Sequence, residues 1–402
     1  MPPRPSVLEI FLVALRLGCT SFGGPVAHLA FFRKEYVEKR RWLDEVHYAD
    51  LVALCQFLPG PASSQTSFGI GYLQRGLAGG LAAWLGFTLP SALLMIAFAL
   101  GVTALGDLGA AGWLKGLKAA AVAVVAQAVW AMSKTLCPDW PRRVLTLAAA
   151  ALLLWLPFAW SQIAVIGAGA IAGLAFLRNP AAHRENAEER KHGKSDSALP
   201  SFRVSAICLV LFFGLLLGLP VLAGLSNRPA LDLFDRFYRA GSLVFGGGHV
   251  VLPLLEREVV APGWVTPNQF LAGYGAAQAV PGPLFSLAAY LGAVTTHGPG
   301  GISGGCWALL AVFLPALLLV AGALPFWQTL RGRPAAQAAM RGANAAVVGV
   351  LLAALIHPVG TLGLVDARST ALAVATFVLL QRTRVPVWAV IGGAALAGAA
   401  FM

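Results

Sequence analysis

The chain has 402 residues, 58% hydrophobic and 11% charged, with a mean hydropathy of +0.75, against about 25% charge in soluble domains. That composition excludes an ordinary soluble domain and defines an integral membrane protein whose first partner is the lipid bilayer. A formal net charge of +12 does not point to nucleic acid, because the basic residues sit between apolar segments and form neither a contiguous stripe nor a known binding motif.

Apolar segments fall near 6–32, 46–74, 77–101, 113–133, 143–160 and 161–178. The first contains Glu9 and Arg16 and lacks a small-residue cleavage site, so it does not read as a removable signal peptide. From Asn179 to Ser201 the chain is polar, with the composition of a flexible connector. A lone apolar run near 203–225 follows, then six more near 230–252, 267–294, 301–326, 335–357, 369–381 and 385–401. Several of these are shorter than the ~20 residues a crossing helix needs. The expected fold is an all-α polytopic helical bundle of two homologous, inverted six-segment halves with broken or re-entrant helices. The halves are 1–178 and 230–402, and 179–229 supplies the connector and one extra membrane helix. Cys19, Cys55, Cys137, Cys208 and Cys306 show no C-x-x-C spacing and no nearby histidine pair, so neither disulfide, metal site nor cofactor is expected.

Helix breakers recur at matched places: Phe22-Gly23-Gly24 and Pro59-Gly60-Pro61, then Phe245-Gly246-Gly247 and Pro281-Gly282-Pro283. Such breaks persist at membrane depth only where protein or a watery cavity satisfies the freed backbone groups. The repeat extends beyond them. Glu9 matches Asp232, Arg16 matches Arg239, Glu35 matches Glu258, Trp42 matches Trp264, Gln56 matches Gln278 and Pro90 matches Pro315. After that, Lys115-Gly116-Leu117-Lys118 matches Arg341-Gly342-Ala343-Asn344. Two repeated halves with broken helices are the pattern of a transporter working by alternating access around a midplane site.

With the N-terminus in the cytoplasm and one crossing per segment, most basic loops obey the positive-inside rule. The misfit is Arg33-Lys34-Glu35-Tyr36-Val37-Glu38-Lys39-Arg40-Arg41. Either this loop is an exception to a statistical rule, or the broken segments flanking it are re-entrant and return it to the cytoplasmic side.

The run Phe22-Gly-Gly-Pro-Val-Ala-His28, with Glu35 to Glu45, Asp50 to Gln56 and Pro59-Gly60-Pro61, resembles the N-terminal signature of chromate ion transporters. Phe245-Gly-Gly-Gly-His249, Leu252-Pro253, Glu258, Trp264, Gln278 and Pro281 to Phe285 resemble the same family's C-terminal homologous domain. The resemblance covers nearly the whole chain as a long, two-domain member. It implies a multi-pass inner-membrane protein, not an enzyme, that exports chromate and confers chromate resistance.

A tetrahedral dianion needs many donors and positive potential at its site. Half-helix N-termini provide both, which makes Phe22, Gly23, Gly24, Gly246 and Gly247 candidates; the same glycines also suit plain close packing. At the Pro-Gly-Pro breaks, Pro59, Gly60, Pro61, Pro281, Gly282 and Pro283 are candidates, and only the first break is followed by a donor-rich run containing Ser63, Ser64 and Gln65. Those hydroxyls either face substrate or bond their own helix. Arg16 and Arg239 have three open roles: binding the oxyanion, pairing with Glu9 and Asp232 at i, i+7, or snorkelling to the interface. Lys115 and Lys118 form a second basic patch or, more plainly, a solvated helix end. Coupling candidates are Glu35, Asp50, Glu258, His28 and His249.

A cytoplasm-negative potential favours export of a dianion by ~2.3 kcal/mol per charge per 100 mV, and the sequence has no P-loop motif for ATP. The expectation is a secondary transporter driven by membrane potential or proton motive force. A channel or carrier for another small anion is the alternative. Sulfate is isostructural with chromate, so competition by sulfate is expected, and a homo-oligomer is compatible with the sequence.

Overall fold

The structure is a computed structural model and describes residues 5–22, 24–104, 112–156, 161–177, 202–244, 251–327, 333–383 and 385–402. The connector after residue 177 lies outside them. Among the described residues the secondary structure is helical.

In the first half, α1 (Val7–Thr20) starts at Ser6, whose side chain caps the Glu9 amide. After the Phe-Gly-Gly break, α2 (Gly24–Phe32) continues into a π turn, Arg33–Lys39. Arg40, just past that turn, reaches back to Glu9 at 2.7 Å. A chain whose residues 9 and 40 meet has reversed between them, so the first apolar segment is a hairpin with Phe-Gly-Gly at its tip.

The second broken segment is built the same way. α3 (Glu45–Phe57) is capped by Asp44. α4 (Ala62–Ala104) is two helices, because Arg75 and Gly76 between them have non-helical backbone angles. The first arm, 62–74, folds back on α3, and a side chain at Gly69 would strike Leu51. Thirteen residues of helix rise ~20 Å, well short of a ~30 Å hydrocarbon core. The segment therefore enters and returns, with Pro59-Gly60-Pro61 at its tip. The second arm, 77–104, is long enough to cross. α5 (Gly112–Leu136) follows, then α6 (Trp140–Trp155) and α7 (Ser161–Phe176).

α8 (Phe202–Ser226) is the extra helix, buried along one stripe of Ser205, Cys208, Phe212 and Leu219 and otherwise half-buried or exposed. The second half then repeats the first. α9 (Pro229–Ser242) and α10 (Val251–Val259) are tied by Arg236 and Glu258 at 3.5 Å. α11 (Pro267–Ala279) and α12 (Leu287–Val294) pack together through Tyr290, whose hydroxyl donates to the Gln269 carbonyl at 3.0 Å. α13 (Gly301–Ala323), α14 (Pro334–Ala354), α15 (Ala367–Arg382) and α16 (Val387–Phe401) complete the chain. Residues 77–104, α5, α8, 301–326 and 334–363 lie in helices long and apolar enough to cross a membrane.

The halves interlock. α5 packs on α15 and α16 of the other half, while its repeat mate α14 packs on α6 and α7 of the first. Equivalent contacts recur in both. Gly18 of α1 lies against the Phe87 carbonyl, and its mate Gly241 of α9 lies against the Val312 carbonyl.

Candidate functional site

The two halves meet through their broken segments. The Gly60 amide donates to the Val244 carbonyl at 2.6 Å, and the Gly282 amide donates to the Ser21 carbonyl at 2.9 Å. Gly60 and Gly282 are repeat mates, and so are Ser21 and Val244. Each Pro-Gly-Pro turn is thus pinned to the residue just before the other half's Phe-Gly-Gly. The exchange is reciprocal between the two repeats. Both glycines have positive φ, 128° and 96°, which side chains rarely adopt. A Cβ on Gly60 would also lie 2.7 Å from Ala316, and one on Gly282 would lie 3.1 Å from Ser91. Ala316 and Ser91 each follow the proline inside a crossing helix, Pro315 and Pro90.

Between the tips lies a cavity of about 580 Å³. Gly24, Gly60 and Gly282 line it with backbone, while Gln56, Gln278, Gln127, Asn344 and Thr135 supply polar side chains. Gln127 also donates to the Leu380 carbonyl at 3.3 Å. The remaining described lining is small or apolar, including Cys55, Leu29 and Val387, and among the described residues no Asp, Glu, Lys, Arg or His lines the cavity. The Gly60 and Gly282 amides are already committed to Val244 and Ser21, so a small anion in this space would be held by the neutral side-chain dipoles of the lining, such as Gln56 and Asn344, with charge balanced at a distance.

The candidates from the sequence divide. Gly24, Gly60 and Gly282 line the cavity. Phe22, beside Trp388 at 6.1 Å, and Pro59, Pro61, Pro281 and Pro283 flank it within the tips. Ser63, Ser64 and Gln65 are buried behind it, where the Gln65 side-chain amide donates to the Pro59 carbonyl at 2.8 Å and braces the turn. His28 is buried against the edge of Phe87 at 5.3 Å, and Asp50 sits in α3 away from the lining. Gly23, Gly246, Gly247 and His249 lie outside the described residues.

Arg16 is exposed on α1 and Arg239 pairs with Asp235 at 2.8 Å, both outside the cavity lining. The i, i+7 pairing with Glu9 and Asp232 is not formed. Two turns of helix separate such residues by ~10 Å, and nearer cations take both acids: Arg40 for Glu9 at 2.7 Å and Arg236 for Asp232 at 3.1 Å.

Those pairs belong to two matching clusters. In the first half Arg40 bridges Glu9 and Glu35 while lying 5.3 Å over Trp42. In the second, Arg236 bridges Asp232 and Glu258 while lying 4.4 Å over Trp264, and His297 stacks on the same indole at 4.0 Å. The mates Glu35 and Glu258 lie beyond the spanning helices and differ in acidity. Burial would raise Glu35, but Arg40 and Lys39 hold it below the usual carboxylate range. Burial dominates at Glu258 and keeps it above that range despite Arg239 and Arg236.

Lys118 corrects the sequence reading. It is 8% exposed rather than a solvated helix end, and its ammonium donates to Asn268 Oδ1 at 2.6 Å. The polar lining was missed as well, although the match of Gln56 with Gln278, each three residues before a Pro-Gly-Pro, was a signal for it. Gln127 carries no such mark, since its repeat mate is Ala353.

Two repeated, interlocked halves with, among the described residues, five helices long and apolar enough to cross a membrane are the architecture of a membrane transporter. The chain belongs to the chromate transporter family, whose model matches residues 8–174 and 231–399. It is 29% identical to a chromate transport protein of Pseudomonas aeruginosa, over 89% of this chain and 82% of that one. A chromate transport protein of Cupriavidus metallidurans is 27% identical, over 98% and 93%. A probable chromate transport protein of Synechococcus elongatus is 27% identical, over 88% and 85%. No solved structure matches the chain.

Proposed function

We propose that the chain is a secondary transporter that exports chromate from the cytoplasm across the inner membrane, conferring chromate resistance, with the cavity between the two Pro-Gly-Pro turns as its oxyanion site. The observation that carries this reading is the placement of Gly60 and Gly282, repeat mates, in the lining of one cavity whose described polar side chains are all uncharged. A site whose described lining carries no fixed charge suits a carrier, because it binds a dianion and still lets it go.

An inverted relation between the halves fits the same features. Hairpins return the basic stretch 33–41 to the side of the N-terminus, and the lone α8 reverses the second half. Membrane potential or proton motive force is the proposed drive, and sulfate, with the same shape and charge, is the expected competitor.

Chromate uptake into everted membrane vesicles tests the proposal. The expected result is uptake that a protonophore abolishes and that sulfate reduces. Uptake no greater than in vesicles lacking the protein would reject chromate export, and an anion conductance unaffected by the protonophore would indicate a channel.

A further inference from the structure

The cavity is lopsided with respect to the two repeats. Around the tips its lining comes in mates: Cys55 with Ala277, Gln56 with Gln278, Gly60 with Gly282. Along the crossing helices it does not. α5 lines the cavity from Val124 to Leu136, whereas Val350, Ala353 and Ala354, the mates on α14 of Val124, Gln127 and Ala128, are not among its lining residues. α14 contributes Asn344 instead, and the repeat mate of Asn344 is Lys118.

Lys118 is a buried cation short of an anion. Among the described residues its ammonium bonds to the neutral Asn268 and forms no ion pair. Burying an ammonium with one neutral acceptor is costly, and a single carbonyl satisfies one of its three donors. Lys118 is on α5 and Asn268 on α11, both of which line the cavity, and Lys118 lies about 9 Å along α5 from Val124.

We propose that a second form of the site exists, in which the halves exchange conformations: the α5 side closes, its mate along α14 opens, and Lys118 takes the place that Asn344 holds here. In that form the cavity is lined by Val350, Ala353 and Ala354, and Lys118 binds the doubly charged tetrahedral oxyanion directly. The site then alternates between a cationic and a neutral state as it changes face. This inference rests on the transport reading, since it names the other half of that transporter's cycle.

The test is thiol accessibility in a variant with the native cysteines replaced. Ala128→Cys, Ala353→Cys and Lys118→Cys are reacted with a charged, membrane-impermeant methanethiosulfonate in vesicles of either orientation. Ala128→Cys is expected to label from one face, and Ala353→Cys and Lys118→Cys from the other. In the native background, Lys118→Met is expected to raise the half-saturating chromate concentration at least 10-fold, with Lys118→Arg within about 3-fold of wild type.

Failure of Ala353→Cys and Lys118→Cys to react from either face, or their reaction from the same face as Ala128→Cys, would overturn the proposal. So would an unchanged half-saturation in Lys118→Met. Opposite-face labelling without any chromate uptake would support the exchange of cavities while removing chromate as the cargo.

Discussion

The Gly60 amide donates to the carbonyl of Val244 in the other half, 2.6 Å away, and the mate of each residue repeats the bond in the opposite sense. Neither half can therefore place its own Pro-Gly-Pro turn without the other. The two bonds also satisfy backbone groups that a break at membrane depth leaves exposed.

Replacing either glycine tests this arrangement. Gly60→Ala forces a side chain into positive φ and against Ala316 at 2.7 Å, whereas Gly282→Ala meets Ser91 at 3.1 Å. Strain of this kind costs about 1–3 kcal/mol, with overpacking added at the first site. Both variants are expected to melt at lower temperature in detergent and to lose most chromate uptake, Gly60→Ala the more severely. Wild-type uptake by Gly60→Ala would show that the turn geometry does not matter to transport.

Removing cavity donors one at a time measures the neutral site. Gln56→Leu, Gln278→Leu and Asn344→Leu each delete hydrogen-bonding capacity from the lining. At about 1 kcal/mol per hydrogen bond, each is expected to raise half-saturation roughly 5-fold. Gln56→Glu places a carboxylate there and is expected to abolish uptake by charge repulsion. Concentration dependence of uptake in vesicles reads both effects.

The repeat mates Glu35 and Glu258 predict opposite responses to pH. Glu35 has a lowered folded value, so the unfolded chain binds more protons and its contribution to stability is lost as pH falls below the usual carboxylate range. Glu258 has a raised folded value, so the folded chain binds more protons and stability declines as pH rises from the usual value through the raised one. Melting temperatures across acid to neutral pH provide the check. The advantage of wild type over Glu35→Gln is expected to grow with rising pH, and its advantage over Glu258→Gln to shrink. Parallel trends in the two variants would contradict the asymmetry.

Hairpin geometry also fixes sidedness. Because Arg40 meets Glu9 at 2.7 Å, the basic stretch lies at the start of α1. A cysteine introduced as Lys34→Cys is expected to label from the same side as a tag on the N-terminus. Labelling from the opposite side would mean that the first broken segment crosses the bilayer.

Much of this protein is legible in its sequence. Apolar helices, the extra α8, the doubled Phe-Gly-Gly and Pro-Gly-Pro breaks and their offsets are properties of composition and order, set by local backbone chemistry and by the cost of polar groups in hydrocarbon. Whether a broken segment crosses or returns is not local. It depends on residues 9 and 40, or 51 and 69, meeting after the chain reverses, and hydropathy is the same in either case. The bridging cation shows the same limit. Arg40 lies beyond the turn and Arg236 lies within α9, so the repeat offsets do not match them, yet both arrive between two acids and over a tryptophan. Pairing of side chains is decided by distance in space, and so is burial. Lys118 at the head of an apolar helix reads as solvated until α11 covers it, and the cavity's lopsided lining exists only because α5 and α14, equivalent in sequence, pack into different surroundings.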